Sequence, residues 1–456
     1  MVSKKSKVKL ISYNLNNEEV CASAARLSTT QGNALEIFER AKENEKNHDL
    51  VQKVLRSGHR SVIEHAVFNF ALTDVSAFVE QFFIESRLAS FTVKSRRYVD
   101  FSNFGYYIPN DLEEENRHQY CKYMDALFSA YHVLLDNGIP KEDARFLLPY
   151  SFHSNFYCTL NARELIQIIN EMRYGRGKGI PELQDLAAEL GEQAGSVFPC
   201  ISSEIDHMPS VENVSAPVAT DIVKVKDRAV LIEAPDIGAV RLLNKPSDPA
   251  GILDAAYRIQ NPDTSGPLKV DTLLRIGRPR ELEQLSYTFM ISNITLSGIT
   301  HMVRHRMQSV MVPSIQGIEH SKFIIPDTIK NNAETAKLYK NVLETANQLL
   351  KEMSQNQALK KYSYYYALSG NVLDIMTTIN ARELNHFIKL RACNRAQWEI
   401  RNIAVDILKY VRTSFPELFQ GYGPSCYVTG KCPEGSMTCG EMGNMINKFK
   451  QLSLES

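Results

Sequence analysis

"TLNAREL" at residues 159–165 returns as "TINAREL" at residues 378–384. The step from Asn161 to Asn380 is 380 − 161 = 219 residues. The same step carries Phe70 to Phe289, Arg87 to Arg306, Ser90 to Ser309 and Ser95 to Ser314. This correspondence runs without a gap from about His59 to Asn161. A period this long describes two whole domains in tandem, not the short units of a solenoid.

Working outward from the repeat, copy one spans 1–205 and opens on the alternating strand pattern "KVKLISYN". Copy two spans 228–420 and opens near "RAVLIEAP" at 228–235. Between them, 206–227 carries Pro, Ser and Val without helical period and reads as a linker. Residues 421–456 form a cysteine-containing tail. Inside the copies, "AVFNFALT" and "SYTFMIS" alternate as strands do, while 292–303, 331–354 and 380–413 read as helical. That is a mixed α and β content, and pattern alone leaves the sheet type open.

Lys+Arg and Asp+Glu both number 52, so zero net charge gives no general case for a nucleic-acid partner. The basic start runs into a strand pattern with no apolar h-region, and no segment approaches eighteen uncharged apolar residues. The expectation is a cytoplasmic protein with no membrane partner. Five of the eight cysteines are scattered through apolar stretches and read as reduced and buried. Cys426, Cys432 and Cys439 lie in the tail with gaps of five and six residues. They lack a C-x2-C pair and a nearby fourth ligand, so no metal site is assigned; structural thiols or a redox-labile tail are the alternatives.

Three groups of residues could carry chemistry. In the helical pattern from Asn380, Arg391 and Arg395 share a stripe with Leu384, Phe387, Ile388 and Trp398. A guanidinium there needs an anion or several acceptors, although structural ion pairs or snorkelling would satisfy it too. Arg304, His305 and Arg306 put two cations around a titratable ring at a helix end, which suits a phosphate or an anionic ring. A plainer account is a basic end complementing the helix dipole. In copy one, Ser95, Arg97 and Arg145 are the candidates for gripping a phosphate.

Together these residues resemble the flavin-dependent thymidylate synthases. Arg304-His305-Arg306, seven residues and then Ser314 is similar to that family's Arg-His-Arg signature. "NARELNHFIKLRACNRAQWEIR" resembles its second signature, and "SGHRSVIEHAVFNF" at 57–70 its flavin-side strand entry. The resemblance covers nearly the whole chain apart from linker and tail. It implies an α+β protein, two tandem copies of the family fold, each a mixed sheet flanked by helices. It also implies reductive methylation of dUMP to dTMP, with FAD as cofactor and methylenetetrahydrofolate and NADPH as co-substrates. The implied assembly is a homodimer forming a pseudo-tetramer, with sites built from different domains.

The resemblance assigns Arg391 to the uracil ring as the catalytic arginine. It assigns Ser95, Arg97, Arg145, Arg304 and Arg391 to dUMP, and His59, Ser61, Arg304, His305, Arg306, Asn380, Arg382 and His386 to FAD. The two copies depart from the pattern in opposite ways. Copy two has Gln316 where copy one keeps Arg97, and Tyr364 where it keeps Arg145. Copy one has Glu85-Ser86-Arg87 in place of the triplet and Met172, beside Arg173, in place of Arg391. A tandem chain can drop one half of each set and still build one complete site. The family's usual Asn-Glu pair is Met311-Val312 in copy two and Thr92-Val93 in copy one, and His386 and Arg395 replace residues more often Asn and His. These losses leave two alternatives: a flavin enzyme for another pyrimidine nucleotide, or a degenerate nucleotide- or flavin-binding scaffold.

Overall fold

The structure, a computed structural model, describes residues 4–42, 44–207, 209, 214–217, 223–274 and 277–453. Residues 208, 210–213 and 218–222 of the expected linker lie outside the described residues.

Copy one runs β1 (Lys7–Tyr13), α1 (Asn17–Leu27), α2 (Ala34–Lys42), α3 (Asn47–Arg56), β2 (Val67–Ser76), α4 (Ala77–Ile84), β3 (Ser90–Val93) and α5 (Glu114–Asp136). It continues with α6 (Lys141–Ala144), β4 (His153–Asn161), α7 (Ala162–Arg173), α8 (Pro181–Val197) and α9 (Ser202–Asp206). Copy two runs β5 (Val230–Ile232), β6 (Ala239–Asn244), α10 (Pro249–Gln260), α11 (Val270–Leu273), β7 (Ser286–Thr295), α12 (Leu296–Met302), β8 (Ser309–Met311), β9 (Lys322–Ile324), α13 (Asp327–Lys330) and α14 (Ala333–Ser354). It ends with α15 (Gln357–Lys360), α16 (Ser363–Tyr366), β10 (Val372–Asn380), α17 (Ala381–Arg391) and α18 (Trp398–Ser414), before the short α19 (Pro416–Phe419), α20 (Ser425–Thr429) and α21 (Met442–Gln451).

Each copy folds into an antiparallel four-stranded sheet, in the order β1-β2-β4-β3 and again β6-β7-β10-β8. This is the α+β architecture twice over. The repeat extends to backbone irregularities. Asp74 and its counterpart Asn293 both sit in the left-handed region, at φ 52° and 54°. Each marks a register shift in the central ladder, between Leu72 and Val75 and between Leu373 and Ile375. Asp and Asn tolerate this conformation because their short side chains bond locally. Each backbone N–H here donates to a side chain of the neighbouring strand, Asn155 at 3.2 Å and Asp374 at 2.9 Å.

The strand-to-helix junctions repeat as well. Ser76 accepts from Val79 N at 3.1 Å and Thr295 from Gly298 N at 2.9 Å, so each caps its helix. A buried carboxylate supports each cap. Glu182 accepts from Ser76 N at 2.8 Å, and Glu399 from Thr295 N at 2.6 Å.

The chain forms two compact units that interleave in sequence. Unit 1 comprises 1–228, 314–320 and 328–369; unit 2 comprises 229–313, 321–327 and 370–456. Within unit 1, α5 packs on its own counterpart α14. Tyr150 N donates to Ala367 O at 2.7 Å and Ser369 N to Leu148 O at 2.9 Å. Residues 148 and 150 are the counterparts of 367 and 369, so these two bonds are reciprocal, as in a two-fold contact between identical surfaces.

Two local expectations are corrected. The helical reading of 380–413 is interrupted: α17 stops at Arg391, and Gln397 caps a new helix by accepting from Ile400 N at 3.1 Å. Arg395 therefore lies in a loop and not on a helical stripe. The stretch 292–303 is strand up to Thr295 before it becomes helix. "RAVLIEAP" supplies only the short β5, which pairs parallel with β9; β6 takes the place that β1 holds in copy one.

Candidate active site

In unit 2, Asn380 ends β10 and caps α17 by accepting from Glu383 N at 2.9 Å. That cap fixes where Glu383, His386 and Arg391 stand along the helix. His305 is buried, and its ring stacks edge-on against Phe387 at 5.0 Å and His386 at 5.5 Å. Its Nδ1 lies 3.2 Å from Glu383 Oε1, while its Nε2 lies 3.0 Å from Arg391 Nε. An arginine Nε–H can only donate, so Nε2 must be the accepting nitrogen. The proton therefore sits on Nδ1, facing Glu383. Burial holds the His305 pKa below its ordinary value, and the nearby Arg391 charge acts in the same direction against the pull of Glu383. Glu383, neutral His305 and Arg391 form one relay that orients a guanidinium.

Arg304 and Arg306 flank this ring and are exposed, so the triplet turns its cations outward and its imidazole inward. Arg382 pairs with Glu283, as Arg163 pairs with Glu64 at 2.6 Å in copy one. His386 is exposed beside the buried ring. His59 and Ser61 lie exposed in copy one, in the turn after α3.

In unit 1, two of the three phosphate candidates, Arg97 and Arg145, meet at Glu142. Arg97 Nε donates to Glu142 Oε2 at 2.7 Å, and Arg145 Nε donates to the Glu142 carbonyl at 3.0 Å. Ser95 Oγ accepts from Arg97 N at 3.3 Å. The adjacent Arg96 turns inward to the buried Glu80 and stacks on Phe152 at 4.9 Å, a structural role that leaves Arg97 as the ligand candidate. A serine hydroxyl and two guanidiniums within a few residues of a short helix suit an oxyanion.

The counterpart positions are filled differently. Ser314 donates to Gln316, whose side chain is buried. Tyr364 is fully buried and packs on Phe78 at 4.6 Å. In copy one, Glu85 of the decayed triplet pairs with Arg176, and Met172 is fully buried. Arg173, its neighbour, donates to Ile205 O at 2.8 Å. Apolar packing and local pairs hold these counterpart positions.

Sequence reasoning overlooked Glu383 and Glu142. Glu383 carried a signal, because it lies inside the repeated "NAREL". Its partner in the triplet does not repeat, since Ser86 stands in the place of His305. Glu142 carried none. The tail also holds a thiol neighbour that spacing could not reveal: the Cys393 thiol, in the loop after α17, is in electrostatic reach of Cys432 and Cys439.

The chain matches the family described as thymidylate synthase complementing protein over residues 9–200 and again over 241–417. The flavin-dependent thymidylate synthase of Geobacter sulfurreducens is 30% identical over 189 residues, covering 41% of this chain and 81% of that protein. The Clostridium tetani protein of the same description is 32% identical over 194 residues, covering 39% and 78%. A solved structure of a UMP/dUMP methylase from Streptomyces cacaoi, bound with 5-Br dUMP, aligns at 23% identity with a TM-score of 0.38, over 46% of this chain and 99% of that one. Each relative spans about one copy, and the family match falls on both copies in turn. The chain is a tandem member of the thymidylate synthase complementing protein family.

Proposed function

We propose that this protein is a flavin-dependent thymidylate synthase that methylates dUMP at one composite site per pair of copies. The reading rests on the complementary loss described above. Copy one keeps Ser95, Arg97 and Arg145; copy two keeps Arg304, His305, Arg306 and Arg391. Decay without selection has no reason to leave two halves that add up to one set, which weighs against a degenerate scaffold.

The donor set of copy two fits FAD. Two outward-facing arginines around a buried neutral histidine suit an anionic or electron-rich ring system, with Asn380, Arg382 and His386 nearby on α17, and His59 and Ser61 contributed by copy one. When bound, reduced flavin supplies the hydride; methylenetetrahydrofolate supplies the carbon, and NADPH the reducing equivalents. The chain's own residues bind and polarise. Arg97 and Arg145 grip the dUMP phosphate. Arg391, oriented by His305, donates to the uracil ring and stabilises negative charge developing there. No cysteine nucleophile is required. Two chains, each already carrying a two-fold-like contact in unit 1, associate as a homodimeric pseudo-tetramer in the cytoplasm.

A second reading is modification of another pyrimidine nucleotide. It draws on Met311, an exposed apolar residue where relatives of this kind usually carry a polar pair. Tritium release from 5-tritiated dUMP, with FAD, NADPH and methylenetetrahydrofolate supplied, tests the first reading. Release confirms it. No release from dUMP, with release from tritiated dCMP or UMP under the same conditions, establishes the second.

A further inference from the structure

Away from these residues, three helical segments of copy one bring nitrogen, oxygen and sulfur donors together. Glu18 stands in the first turn of α1, His48 in the first turn of α3, and Cys200 in the single 3-10 turn that follows α8. Cys200 Sγ lies 3.4 Å from His48 Nδ1, and Glu18 Oε2 lies 3.8 Å from the same nitrogen. All three donor atoms fall within 4.8 Å of one another.

We infer that Glu18, His48 and Cys200 bind a borderline-soft divalent cation of the zinc type. Zinc bonds of about 2.3 Å to sulfur and 2.1 Å to nitrogen put those two atoms roughly 3.6 Å apart around a tetrahedral ion. The sulfur–nitrogen distance already has that value to within the width of a contact. Around the same ion, nitrogen and carboxylate oxygen sit roughly 3.4 Å apart, which rotation of the half-exposed Glu18 side chain reaches. One imidazole, one carboxylate and one thiolate are a donor set that zinc accepts and that magnesium or calcium does not favour.

The surroundings fit a cation. Cys200 is fully buried, and the equally buried Cys21 lies one turn beyond Glu18 on the same helix. A cation between Cys200 and Glu18 would hold the thiolate and the carboxylate together by opposite charge. Outer bonds hold the cysteine backbone: Gln52 Nε2 donates to Cys200 O at 2.8 Å, and Ser203 Oγ donates to Gln52 Oε1 at 2.8 Å. The role that follows is structural. A bound ion clasps α1, α3 and the end of α8, and α3 leads directly into the turn carrying His59 and Ser61.

The test uses the full chain, stripped with a chelator and titrated with Zn²⁺ alone and with Co²⁺ alone. We expect one equivalent of Zn²⁺ to raise Tm, and Co²⁺ to give a near-ultraviolet sulfur-to-cobalt charge-transfer band. His48→Ala, at a half-exposed position, weakens both responses by more than about a hundredfold. Cys432→Ser and Cys439→Ser leave both unchanged, which separates this site from the tail thiols. No Tm rise and no charge-transfer band in the wild-type chain, or equal responses in His48→Ala, overturns the inference. Neither outcome depends on dUMP turnover.

Discussion

Arg391 donates from Nε to His305 Nε2 across 3.0 Å, while His305 Nδ1 faces Glu383 at 3.2 Å. The imidazole is thus a fixed neutral wedge between a carboxylate and a guanidinium. Arg391→Lys keeps the charge but loses the planar fork and its Nε donor. Its expected cost is about a hundredfold in turnover, the scale of a lost oriented donor. Glu383→Gln should cost turnover too, by loosening the tautomer of His305. Single-turnover flavin oxidation with dUMP and folate present reads both variants.

The phosphate grip should be one-sided. Arg97→Ala or Arg145→Ala each removes a charge-assisted bond, so the KM for dUMP should rise roughly ten- to a hundredfold. Gln316→Ala, at the counterpart of Arg97, should leave that KM within about twofold, because its position holds no grip to lose. Steady-state kinetics across the three variants decides the matter.

Acid should destabilise unit 1 through two histidines. Burial holds His153 and His320 down at about 4, below the 6.5 of an ordinary histidine. The unfolded chain therefore takes up these protons at higher pH than the native protein does. Their contribution is complete above about pH 6.5 and is lost as the pH falls from there toward 4, on the order of 3 kcal/mol for each. Denaturant midpoints measured between pH 7 and pH 4 should fall accordingly, and His153→Gln should flatten the slope.

Glu182 joins three parts of unit 1, accepting from Ser6 Oγ at 2.6 Å, Ser76 N at 2.8 Å and Tyr365 OH at 2.7 Å. Glu182→Ala strands those buried donors and should cost about 3 kcal/mol or more. Glu182→Gln keeps one acceptor oxygen and should cost less. Urea unfolding of the two variants supplies the comparison.

The duplication, both central strands and the α14 helix were legible, because a 219-residue step repeats across the copies and alternation and helical period mark the elements; the matching α5 was not singled out. The break after Arg391 was not legible. Apolar spacing continues through 392–397, and only the side-chain cap from Gln397 shows that a second helix starts there. Arg97, Arg145, Arg304, His305 and Arg391 stood out by residue type and placement, and their roles came from the family resemblance. Their partners Glu142 and Glu383 did not, since acidic residues are common on helix surfaces and contact is a tertiary fact.

The central claim is that the two copies contribute complementary halves to one kind of site. The most direct measurement is tritium release from labelled dUMP by Arg97→Ala and by Arg304→Ala, prepared separately as folded full-length chains. One substitution lies in copy one and the other in copy two. The account predicts that each alone cuts release at sub-saturating dUMP by about tenfold or more. Release at the wild-type rate under those conditions in either variant would contradict it, because that copy's residue would then be dispensable.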